Sequence, residues 1–192
     1  MTTIALEQRR AGDSLIILAV WSLIAGALLQ MVLGIPLASL QAQTPPPLAI
    51  PVLNAISHLL LMVGVAGLVR SGAAGRGRLA ISGLALTLLG LAVLVVAEAS
   101  WLAQLGVADT LYGVATLALT LGLLLAGAAV VRAGRWTGWH RFTLLACGLF
   151  IPLVLFPSFA LPSPAMNYAL GLWGVCWLLL GLALRAEATR AS

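Results

Sequence analysis

The sequence predicts an all-α polytopic membrane protein, a bundle of six transmembrane helices. Three observations carry that prediction. The chain of 192 residues is 62% hydrophobic and only 8% charged, whereas a soluble domain carries roughly 25% charged residues. With a mean hydropathy of +1.12 it cannot cover itself with a water-compatible surface, so a lipid bilayer is its expected solvent. The apolar residues fall into six runs, and all ten basic residues, every one an arginine, lie in alternate connections between them.

The elements follow in order. Residues 1–12 are polar, and Asp13 or Ser14 is placed to cap a helix by accepting from its free first-turn amides. The first run spans 15–37; at 1.5 Å per residue it reaches about 34 Å, enough to cross a bilayer. It is too long for the apolar core of a signal peptide, and Leu40-Gln41-Ala42 is a poor cleavage site, so it is expected to remain as a span. Gln41 to Pro51 is a turn around Pro45-Pro46-Pro47, because three prolines favour extended backbone. The second run is 51–69, with Pro51 in a helical first turn. Arg70 to Arg78 is a glycine-rich basic turn. The third run is 79–102, closed by Gln104, Gly106 and Asp109, and the fourth is 111–131. The fifth, 142–161, contains Pro152 and is expected to kink there. Pro162 and Pro164 mark a turn before the sixth run, 165–184. The whole chain, 1–192, reads as a single transmembrane domain.

Arg9 and Arg10 precede the first run. Arg70, Arg76 and Arg78 lie between the second and third, and Arg132, Arg135 and Arg141 between the fourth and fifth. Arg185 and Arg190 follow the sixth. The other three connections contain no arginine or lysine. The positive-inside rule places the arginines and both termini in the cytoplasm, and a wrong helix count would break the alternation. The bias toward Ala, Gly, Leu and Arg suggests a GC-rich bacterial genome, hence an inner-membrane location. Trp101, Trp136 and Trp139 stand near span ends, where amphipathic rings sit among headgroups.

Two features concern packing. Ala115, Ala118, Gly122, Ala126 and Ala129 form a small-residue face on the fourth run. Such a face lets a neighbouring helix approach closely, within the protein or in a membrane partner or second copy. Val69-Arg70-Ser71-Gly72 and Val131-Arg132-Ala133-Gly134 repeat at an offset of 62 residues, and Gly181 to Arg185 closes the sixth run in a similar style. Three helical hairpins in one orientation would explain the repeat, and so would a common need for small residues and arginine at inner helix ends.

Few polar side chains interrupt the runs. By helix rise, Gln30, His58 and Glu98 lie within about 6–11 Å of the arginine-free boundary. Asn54 and Ser57 lie on that side, and Tyr112 and Tyr168 begin spans there. An ionisable residue within a span marks a candidate site. His58 and Glu98 could form a charge-assisted pair, surrounded by Gln30, Asn54 and Tyr168, in a polar pocket opening outward. The same residues could instead hydrogen-bond helix to helix, with Glu98 reaching toward the interface.

Other chemistry is poorly represented. The net charge of +5 is spread thinly rather than gathered on a basic face, so no nucleic acid is expected. His58 and His140 belong to opposite ends and cannot sandwich a haem. Too few ligands converge for zinc, and the glycines of 72–77 lack a strand and a phosphate-loop lysine. Cys147 and Cys176 read as small buried hydrophobes. Trp173 and Trp177 share a helix face and read as packing. Arg132 to Arg141 could bind acidic phospholipid or a soluble partner, though topology alone accounts for it. The expectation is a protein without a cofactor and without catalytic machinery, structural or accessory through helix contacts. The alternative is a small-solute or proton-coupled carrier, or a quinone- or lipid-binding subunit, using the pocket around His58 and Glu98.

Overall fold

The computed structural model describes the backbone of residues 3–43, 45–72, 74–161 and 164–191, and the side chains of these from Ser14 to Arg190 apart from Ser71. Pro162 and the side chains of Arg9 and Arg10, which figure in the sequence reading, lie outside the described set. Among the described residues the fold is all-helical with no strand. The helices are α1 (Thr3–Gly34), α2 (Ala38–Gln41), α3 (Ala49–Ser71), α4 (Arg78–Leu102) and α5 (Ala108–Ala133), then α6 (Thr143–Phe150), α7 (Phe156–Ser158) and α8 (Ala165–Ala191). A 3-10 turn, Gly138–Phe142, leads into α6, and a π turn, Ile151–Leu155, joins α6 to α7. Six of these segments are long and apolar enough to cross a membrane: Ser14–Gly34, Ala49–Arg70, Arg78–Leu102, Ala108–Ala133, Gly138–Ser158 and Ala165–Arg190. The chain is a multi-pass membrane protein.

The spans pack as a ring. α1 lies against α3 and α8, α3 against α4, α4 against α5, α5 against α6, and α6 with the π turn closes onto α8. Leucines from every side meet Trp173 and Trp177 in a continuous core. The outer faces carry large apolar side chains such as Ile17 (58% exposed), Leu117 (58%) and Leu153 (68%). That is tolerable only where the surroundings are hydrocarbon.

Several boundaries differ from the sequence reading. α1 begins at Thr3, so neither Asp13 nor Ser14 caps it; both lie inside the helix. The charged segment before the first span is compatible with helix, and hydropathy alone does not reveal where helix begins. The first span ends at Gly34 because Pro36 follows, and Ala38–Gln41 forms a short extra helix. The fifth span begins at Gly138, before the expected Phe142. The sixth helix continues to Ala191, so the polar tail beyond residue 184 is helical. Trp136 was expected among headgroups, but it is 3% exposed and belongs to the core; Trp139 lies outward, as expected.

Pro152 is accommodated without a break. It has no N–H to donate, and its ring crowds the preceding turn. The wide π turn Ile151–Leu155 relieves that crowding within the span.

The repeat has a local cause. Gly72 (φ +63°) and Gly134 (φ +60°) both take the left-handed conformation that ends a helix. Their amides bond back to Val69 and Val130, each at 3.3 Å. Arginine in each last turn complements the negative end of the helix dipole. The stretch Gly181 to Arg185 is helix interior, so it is not a third copy. A Cβ at Gly134 would meet nothing within 4 Å, so Gly134→Ala tests backbone strain alone. It is expected to cost about 1 kcal/mol, read as a lower thermal midpoint in mild detergent. An unchanged midpoint would mean the left-handed cap is not held in solution.

Candidate functional site

At the arginine-poor end, the structure rearranges the expected pocket. Its residues come from α1, α3, α4 and α8. Gln30 (6% exposed), His58 (8%) and Glu98 (4%) are buried, as their depth in the spans requires. Among the described residues, no ion pair joins His58 to Glu98. The Glu98 carboxylate instead lies beside the Tyr112 hydroxyl. The reason is topological. Glu98 ends α4 and Tyr112 begins α5, so a short turn places them side by side. Tyr168 is 45% exposed and does not enclose the cluster, and Asn54 is half-buried on α3. Ser57 donates to the Gly26 carbonyl at 2.9 Å and so ties α3 to α1. Three atoms at this end are left without a partner, Gln30 Oε1, Gln41 Oε1 and His58 Nδ1. A buried polar atom without a hydrogen bond costs about 1–3 kcal/mol, so these three are the unresolved chemistry of this end.

The small-residue face of α5 is occupied from within. Ala115, Gly122 and Ala126 are buried and Ala118 and Ala129 half-buried. Gly122 lies against Gly83 and Thr87 of α4, and Gly83 against Ala126. α4 is therefore the neighbour this face was built for.

The basic end holds two constructions. In the first, His140, placed by the sequence in the basic turn before the fifth run, is folded inward at 8% exposure. Its Nδ1 lies 2.7 Å from Glu187 Oε1. The same oxygen accepts from the Thr137 amide at 3.2 Å and from Arg190 at 2.8 Å. Arg190 also donates to the Thr137 hydroxyl. This clamp fastens the α5–α6 connection to the last turns of α8. In the second, the two arginine-rich connections meet. Arg135 Nη1 donates to the Gly72 carbonyl at 3.4 Å. Between them lies a cleft of about 460 Å³, lined by Arg76, Arg78, Arg132 and Arg135. Arg70 is exposed beside it, and Arg141 lies over the Phe142 ring at 4.7 Å. Trp21 sits beneath Arg185 at 5.8 Å.

Sequence reasoning missed four contacts. The Glu98–Tyr112 contact was recoverable from hairpin adjacency. The His140–Glu187 contact was not, because it depends on how α8 returns past α6. Asn167 Nδ2 donates to the Ala38 carbonyl at 3.2 Å, across a separation of 129 residues that no local signal spans. Cys147 and Cys176, both free, lie beside each other across the α6–α8 seam. No group of three or more potential metal ligands occurs among the described residues. Comparison with protein-family models, curated proteins and solved structures finds no match.

Proposed function

We propose that the protein is a non-enzymatic component of a bacterial inner membrane, structural or accessory, with both termini in the cytoplasm. The positive-inside rule supports the orientation, since the arginines lie in the connections on one side. The observation that carries the structural reading is the bond from the buried Ser57 hydroxyl to the Gly26 carbonyl, which ties α3 to α1. Asn167 and Trp173 likewise bond to backbone carbonyls of other segments. Polar groups placed so hold helices together in hydrocarbon, each bond contributing about 0.6–2 kcal/mol.

His58 Nδ1 and Gln30 Oε1 favour a second reading, a carrier or a quinone- or lipid-binding subunit. One experiment separates the two. Tyr112→Phe is expected to lower stability in detergent by about 1–3 kcal/mol, because it removes the hydroxyl beside the buried Glu98 carboxylate. His58→Ala and Glu98→Gln are expected to leave proton and small-solute flux in proteoliposomes at the wild-type level. A wild-type flux that both variants abolish while remaining folded would overturn the structural reading in favour of the carrier.

A further inference from the structure

We propose that the cleft between the α3–α4 connection and the C-terminal end of α5 is a binding site for a phosphoryl oxyanion. The positive-inside rule accounts for arginines at this end. It does not account for their convergence. Arg76 and Arg78 come from the α3–α4 connection and the first residue of α4, Arg132 and Arg135 from the end of α5 and the turn after it, and all four line one cleft of about 460 Å³. The Arg135–Gly72 bond draws the two connections together. All four side chains are exposed, and among the described residues none has a carboxylate within ion-pair distance. The basic-end carboxylate described, Glu187, is held by His140 and Arg190. Four guanidinium groups gathered with no counter-charge among the described residues repel one another, and an anion relieves that repulsion.

The backbone adds directed donors. α4 starts at Arg78 after Gly77, and no side chain caps it. The first amides of a helix have no partner within it and carry its positive dipole end. Gly77 has nothing within 4 Å of where a Cβ would be, so an anion can approach these amides closely. Arginine forks and free amides together match the tetrahedral oxygens of phosphate better than a planar carboxylate. The volume exceeds what a bare phosphate needs and suits a phosphate ester. The cleft lies where the apolar spans stop, at headgroup level, so the oxyanion can come from a lipid or from solution.

The test uses the full chain and three proteins: wild type, the double variant R78Q/R132Q, and R141Q. Arg141 lies at the same basic end as Arg132, in the 3-10 turn that begins the fifth span and outside the cleft, so R141Q reports general electrostatics. Retention of phosphatidylglycerol is read by native mass spectrometry after release from phosphatidylcholine nanodiscs containing it. Inorganic phosphate and pyrophosphate are titrated calorimetrically in a neutral detergent. Wild type is expected to retain phosphatidylglycerol or to bind a soluble phosphate, and R78Q/R132Q to weaken this by at least about tenfold, while R141Q changes it less than about threefold. Lipid retention alone identifies a headgroup as the source, and calorimetric binding identifies a soluble one. Thermal midpoints confirm that the exposed substitutions leave the fold intact. The proposal is overturned if neither probe binds wild type, or if R141Q loses as much as the double variant.

Discussion

Gly122→Leu is expected to yield no stably folded protein, whereas Gly113→Leu on the same helix is expected to behave as wild type. A Cβ at Gly122 would stand 2.6 Å from both the amide nitrogen and Oγ1 of Thr87, and 2.8 Å from the Gly83 carbonyl oxygen. Two of these are backbone atoms and cannot move without displacing α4. Thr87 takes part in the close approach: its hydroxyl bonds back to the Gly83 carbonyl at 2.9 Å, leaving no unsatisfied polar group in the seam. Helices in lipid gain little from hiding apolar surface, so their attraction depends on such contact. Gly122→Ala alone is expected to cost about 1–3 kcal/mol as an overpacked core, and Leu more. Gly113 is exposed, with nothing within 4 Å of its Cβ position. The readout is monodisperse elution from size exclusion and the thermal midpoint in mild detergent. A Gly122→Leu protein that elutes and melts as wild type would refute the α4–α5 seam.

Trp177→Ala is expected to cost about 3–5 kcal/mol, in the range of large aromatic truncations. Trp177 is fully buried, with its ring 5.5 Å from Trp173 at an interplanar angle of 66°. Their conservative variants are expected to diverge. Trp173 Nε1 donates to the Cys147 carbonyl at 3.0 Å and so joins α8 to α6, whereas Trp177 Nε1 has no partner. Phenylalanine at 173 removes a bond between α8 and α6; at 177 it removes an unsatisfied donor. Trp173→Phe should therefore be the more damaging by about 1–2 kcal/mol. Chemical denaturation in detergent, followed by tryptophan fluorescence, measures the order. The reverse order would show that the 177 indole finds a partner in the membrane.

The six spans were legible because each needs a long apolar run with helix-breaking residues after it. The ends were less legible. Thr3, Gly138 and Ala191 lie in polar sequence, where hydropathy is silent and helix is continued by contacts such as the Glu187 clamp. The candidate pocket was half legible. Depth along a span follows from residue number, so the burial of Gln30, His58 and Glu98 was foreseeable. Which faces meet depends on helix rotation, and that separated His58 from Glu98.

The sequence by itself determined that lipid is the solvent, that six helices cross it, and that arginines collect in alternate connections. These follow from local free energies of transfer and backbone satisfaction, each acting one segment at a time. Only the tertiary structure decided what each segment meets. It gave the small-residue face of α5 to α4 and Glu98 to Tyr112, and it folded Trp136 and His140 inward. It also drew two arginine-rich connections, distant in sequence, around one cleft. The physical reason is that rotation and register between helices are set by close packing of many side chains at once.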